Sequence, residues 1–147
     1  CNEEHTPWTS VTAARRLATE GRAVVGAINL DGIGSHGDAD RASGRPANVT
    51  RYTTPEGERL ADLLAALNAR YGLGLDQSKV AVDRPGDDDG SFIKAGFPAA
   101  ILNIGSFPYA DEAYHLETDR VARADVANAA VTVRLTLALV AHLDASG

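Results

Sequence analysis

Ala23-Val24-Val25-Gly26-Ala27-Ile28-Asn29-Leu30-Asp31-Gly32-Ile33-Gly34 is an apolar run that ends in one carboxylate and two glycines. The β-branched Val24, Val25 and Ile28, with no polar alternation, read as a strand buried on both faces of a parallel sheet, where helices leave no solvated side. Asp31 falls where this strand leaves the sheet. In open α/β sheets ligands bind outside the carboxyl ends of strands, so an acid delivered there by a rigid element is placed to hold a metal or polarise a substrate. Gly32 and Gly34 let the backbone turn sharply beside it. The same pattern equally allows Asp31 to be a turn cap.

Upstream, Glu3-Glu4-His5-Thr6-Pro7-Trp8 reads as a polar, proline-interrupted loop. Thr9 or Ser10 then caps a helix to about Glu20, stopped by Gly21, with Val11, Ala14, Leu17 and Ala18 on one face. Downstream, Ser35 to Arg51 has no periodicity and reads as a long loop, a rim or lid over a site. It carries the sequon Asn48-Val49-Thr50. Thr54-Pro55-Glu56 opens the next helix as cap, first-turn proline and first-turn acid. Leu60, Leu63, Leu64, Leu67 and Tyr71 follow at helical spacing, and Gly72 ends it.

Lys79 to Asp83 alternates and reads as a short strand near an edge. Asp87-Asp88-Asp89-Gly90-Ser91-Phe92 starts a short helix to Ala95, and Ala99 to Ile104 is a second buried strand between Pro98 and Gly105. A loop rich in Ser, Phe, Pro and Tyr leads to Tyr114-His115-Leu116-Glu117-Thr118-Asp119. Asp125 caps a closing helix, Val126 to Leu143. Helices alternating with apolar strands indicate an α/β layer fold.

The totals narrow the function. A chain of 147 residues fits one domain, or part of one, with a real core. Its 14 basic and 20 acidic side chains, a net charge of -6, oppose phosphate binding, and no basic run interleaved with aromatics exists, so nucleic acid is not expected as a partner. No membrane span is expected either, because the closing helix carries Arg134 and Thr136 in mid-course. The single cysteine, Cys1, gives no internal disulfide, and any metal must be held by carboxylates and histidines. The chain starts without Met or a signal-like segment, as though cut from something longer; a mature lipoprotein would also begin with Cys.

Glu3-Glu4, Asp31, Asp87-Asp88-Asp89 and His115 offer acids or ligands near strand ends. Taken in order, Asn2-Glu3-Glu4, Asn29-Leu30-Asp31-Gly32-Ile33-Gly34, Asp88-Asp89 with Phe92 and Ala95-Gly96-Phe97-Pro98-Ala99, and Tyr114-His115-x-x-x-Asp119 resemble the dinuclear-zinc aminopeptidase family. That family also has glutamate carboxypeptidase-like and glutaminyl cyclase-like members. The resemblance implies a three-layer α/β/α sandwich around a mostly parallel sheet. It makes residues 1–147 the C-terminal portion of a single catalytic domain whose first strands are missing from this chain.

Carried over residue by residue, the resemblance makes Glu3 the general base, Glu4 and His115 ligands of one zinc, and Asp31 a ligand of a second. Asp88 and Asp119 would stand behind the ligands and orient them. Zinc takes imidazole nitrogen and carboxylate oxygen at about 2.0–2.2 Å and keeps one position open for water in catalytic sites. Asp89 stands where the family usually has His, Asp87 where it has Ser, and Gly32 where Met is common. The family's remaining His and bridging carboxylate lie upstream of its Glu-Glu pair and have no counterpart here. His5 and His36 are expected at the surface. Activity would thus need an upstream segment of the same domain as partner.

The implied reaction is hydrolysis of the N-terminal residue from a peptide substrate. A glutaminyl cyclase-like acyltransferase, with one zinc and a Trp-lined pocket, is the rival within the fold, kept open by Trp8 and Ser106-Phe107-Pro108. A non-catalytic binding module with a degenerate metal site is the rival outside it. Zinc content separates them: two ions, one, or none. A secreted or periplasmic location is implied by the resemblance alone.

Overall fold

One strand is buried along its whole length, and it is not the one around Ile28. In the computed structural model, which describes residues 5–6 and 8–146, every residue of Ala100–Ile104 is buried. The elements in chain order are α1 (Thr9–Thr19), β1 (Ala27–Leu30), α2 (Asp38–Ser43), β2 (Ala47–Tyr52), α3 (Pro55–Tyr71), β3 (Asp76–Ala81), α4 (Asp88–Lys94), β4 (Ala100–Ile104), a 3-10 turn (Val121–Arg123) and α5 (Val126–Ser146). The strands form one mixed sheet in the order β1-β4-β2-β3. β1 runs parallel to β4 and β2 parallel to β3, while β2 meets β4 antiparallel.

The expectation of a doubly buried first strand is corrected by this order. Among the described residues β1 is an edge strand, all four of its residues are half-buried, and Val25 lies outside it at 64% exposure. A continuous apolar run says that a strand is shielded; which strand takes the centre is decided by pairing.

The sheet is covered on both faces. Ile101 joins Leu60, Leu64 and Leu67 of α3 and Leu135 and Leu139 of α5 in the core, and Ile28 and Tyr52 pack against that cluster. Asn29, the next residue along β1, instead donates to the Asp87 carboxylate at the start of α4, 2.6 Å away. Successive side chains of a strand point to opposite faces, so α4 lies on the face away from α3 and α5. α1 packs on α4, with Ser10 Oγ and Ser91 Oγ 2.9 Å apart. The result is the three-layer α/β/α arrangement.

The helix termini follow local chemistry. Thr54 Oγ1 accepts from the Gly57 amide at 2.9 Å, Pro55 opens α3, and Gly72 closes it at φ 58°. Asp125 caps α5 through the Asn128 amide at 2.9 Å. α1 departs from expectation: its cap is Trp8, without a side-chain hydrogen bond, and Ser10 is buried against α4 instead.

The expected loop from Ser35 to Arg51 is replaced by α2 and β2. β2 was hidden because its buried positions are polar. Thr50 Oγ1 donates to Asn103 Oδ1 at 2.6 Å, and Gln77 Nε2 donates to Thr50 Oγ1 at 3.2 Å, so the Thr50 hydroxyl is fully used inside the sheet. The sequon asparagine, Asn48, is buried in the same strand. β3 sits at the edge as its alternation suggested, three residues earlier at its start than Lys79. His36, expected at the surface, is buried at 2% exposure. α5, at 21 residues, is longer than expected and apolar enough in composition to cross a membrane. Here Leu135 and Leu139 pack in the core with the α3 leucines, and Asn128 and Thr132 are buried beside them on the same helix.

Candidate active site

Because β1 and β4 are parallel, their carboxyl ends emerge on the same edge of the sheet. The Asp31 amide donates to the Asn103 carbonyl at 3.0 Å, extending the ladder by one residue before the chain turns at Gly32, φ 52°. On β4 the corresponding exit is Gly105, whose amide reaches the Gly32 carbonyl at 3.2 Å. The two exits touch so closely that a Cβ on Gly105 would lie 2.1 Å from the Ser35 carbonyl oxygen. This contact places the turn after β1 and the loop after β4 on one rim.

Between them lies a cavity of about 340 Å³ bordered by Asp31, Ser35, Asp111, His115, Asp119 and Arg123. Asp31, far along the chain from His115 and Asp119, thus borders the same cavity as they do. His115 has φ 59°, and is the one non-glycine residue with positive φ among the described residues. Such backbone is costly for a side-chain-bearing residue and persists where surroundings over-determine it, commonly at functional sites. Here the imidazole stacks on Tyr114, with centroids 4.0 Å apart, and Tyr114 stacks on Tyr109 at 4.6 Å.

Sequence reasoning passed over Tyr109, Asp111 and Arg123. Tyr109 Oη donates to Asp31 Oδ2 at 3.4 Å. Burial, then the Asp31 charge and Tyr114, hold its phenol above the ordinary range, so it stays a protonated donor. Asp111 accepts from Ser35 Oγ at 2.9 Å, Arg41 Nη2 at 3.2 Å, Arg123 Nη2 at 3.0 Å and the Ala113 amide at 3.0 Å. Burial pushes its carboxyl up, but the Ala113 amide, the Ser35 hydroxyl and the Arg123 guanidinium outweigh it and bring it down to about 2. The available signal was an acid flanked by arginines at Arg41 and Arg123, which no spacing rule connects.

Asp88 is not among the residues that border this cavity. It lies with Asp89 in a separate groove of about 350 Å³ between β1, α1 and α4, lined by Leu17, Ile28 and Phe92. Burial, the largest cause, holds the Asp89 carboxyl above its usual range. Trp8 borders a third groove with Val11, Arg15 and Lys94. Glu3 and Glu4 lie outside the described residues.

A carboxylate oxygen and an imidazole nitrogen on one cavity are the donor types zinc takes. Among the described residues no group of three or more His, Cys, Asp and Glu side chains gathers to hold an ion. The donor chemistry of Asp31 and His115 therefore fits, and a complete site needs donors beyond them.

The family model for peptidase family M28 matches residues 1–140. The chain belongs to peptidase family M28. Two solved structures of LapA from Legionella pneumophila, one titled an aminopeptidase, share the fold. They superpose with TM-scores of 0.72 and 0.70 at 17% and 18% identity. Each comparison covers 88% of this chain and 34% of LapA, so the M28 chain described here spans about a third of the length of those structures. No curated protein sequence matches it.

Proposed function

We propose that this M28 chain is part of a zinc-dependent exopeptidase of the aminopeptidase type, with an upstream segment of the same domain completing its site. The observation that carries the reading is the meeting of Asp31 and His115 on one cavity at the carboxyl ends of two parallel strands. M28 membership and the fold shared with LapA support it.

In this reading Asp31, His115 and Glu4 hold zinc. Bound zinc polarises the scissile carbonyl, lowers the pKa of water towards about 7 and stabilises the charge that develops on the carbonyl oxygen. Glu3 takes the proton of the attacking water and passes it to the leaving amine. Asp119 borders the same cavity and steadies the loop that presents His115. The cavity holds a short peptide end, whose free amine distinguishes an exopeptidase substrate from an internal bond.

The test uses the intact protein with peptides carrying free or acetylated N-termini, together with its zinc content. Glu3→Gln is expected to lower turnover by about 10²–10⁴-fold with zinc retained, because a base touches only the proton. His115→Ala is expected to lose zinc and turnover together. Two zinc ions and cleavage confined to free N-termini support the peptidase; one ion with cyclising activity would mark the acyltransferase, and none a binding module. Undiminished turnover in Glu3→Gln removes the proposed base.

A further inference from the structure

We infer that Tyr109 is a positioning residue that ties the two arms of the site together, setting the distance between the Asp31 carboxylate and the His115 imidazole. The inference rests on the reading of these two residues as zinc-holding.

The arms come from different elements. Asp31 is carried by the end of β1, and His115 sits well beyond the end of β4 in the loop between Gly105 and Val121. A loop of that length does not by itself hold a side chain to the tolerance a metal site needs, about 0.5 Å. Tyr109 touches both arms at once. Its hydroxyl donates to Asp31 Oδ2 at 3.4 Å, and its ring lies 4.6 Å from Tyr114 with only 7° between the planes. Tyr114 in turn lies 4.0 Å from the His115 ring at 25°. Three rings in series thus run from the carboxylate to the imidazole.

Two features show why the chain needs this brace. His115 holds φ 59°, a conformation that relaxes unless packing opposes it, and the stack supplies that packing. The Asp31 carboxylate turns about its own bond, and a hydroxyl on Oδ2 fixes its orientation, as partners of ligating carboxylates do. Losing the hydroxyl should loosen one arm; losing the ring should loosen both.

The test is zinc affinity of the intact protein, measured by competition with a chromophoric chelator, alongside kcat and KM. Tyr109→Phe keeps the ring and is expected to weaken zinc binding by about tenfold; Tyr109→Leu also removes the stack and is expected to approach 100-fold. Both should lower kcat at saturating substrate with little change in KM once zinc is in excess. Tyr71→Phe, an exposed tyrosine at the end of α3, serves as control and should leave the affinity unchanged. Parent-like zinc affinity in both Tyr109 variants overturns the inference while the peptidase reading stands. A parent protein that takes up no zinc overturns that reading, and the inference with it. Near-ultraviolet circular dichroism of Tyr109→Phe checks folding, since that variant keeps the ring volume.

Discussion

Gly105 shows how much of the site rests on single atoms. The strand end could have been marked by any small residue, but the Ser35 and Gly32 carbonyls approach so closely that only hydrogen fits, with a Cβ placed 2.1 Å and 2.7 Å from their oxygens. Both obstacles are backbone, so neither can swing aside. Gly105→Ala is expected to cost about 2–3 kcal/mol, the upper range of overpacking, seen as a lower denaturation midpoint with an unchanged m-value. It should also weaken zinc binding, because the two exits that carry Asp31 and His115 are forced apart. The glycine itself was visible in the chain; the reason for it was not, since Ser35 is distant in sequence.

At the scale of elements, the loop after β4 is held by charge. Asp111 joins α2 through Arg41, the turn after β1 through Ser35, and the 3-10 turn through Arg123. Its folded carboxyl titrates at about 2 against an ordinary 3.8, so the unfolded chain binds the proton more tightly. The stabilisation is therefore complete above the ordinary carboxylate range and is lost as pH falls from about 4 towards 2. Asp111→Asn is expected to lower stability by about 1.5–3 kcal/mol at pH 7, the range for hydrogen bonds to charged groups. Urea titrations should show that gap constant between pH 7 and 5 and narrowing at pH 3. A gap independent of pH would remove the charge as its cause. The helix α3 presents the opposite situation: Thr54, Pro55, the leucine spacing and Gly72 predict it almost to the residue, because every determinant is local.

For the molecule as a whole, zinc should act as a folding partner. A ligand bound only by the folded state stabilises it by about 2.7 kcal/mol at 100 times its dissociation constant. The intact protein is expected to melt several degrees higher with zinc than after chelation, and the difference should shrink in His115→Ala. An equal melting temperature with and without zinc would argue for a binding module with a degenerate site.

The α/β layering, the helix α3, the buried strand Ala100–Ile104 to within one residue and the place of Asp31 at a strand end were legible in the chain. Each depends on periodicity, capping or composition within a short window. The centre of the sheet, the strand Ala47–Tyr52 with its polar interior, the burial of His36 and the groove that Asp88 and Asp89 line were decided only by tertiary structure. These depend on which strands pair and which polar groups satisfy one another across the fold, such as Thr50 with Asn103. A linear pattern reports how strongly a residue avoids water, and pairing between distant segments determines what it meets instead.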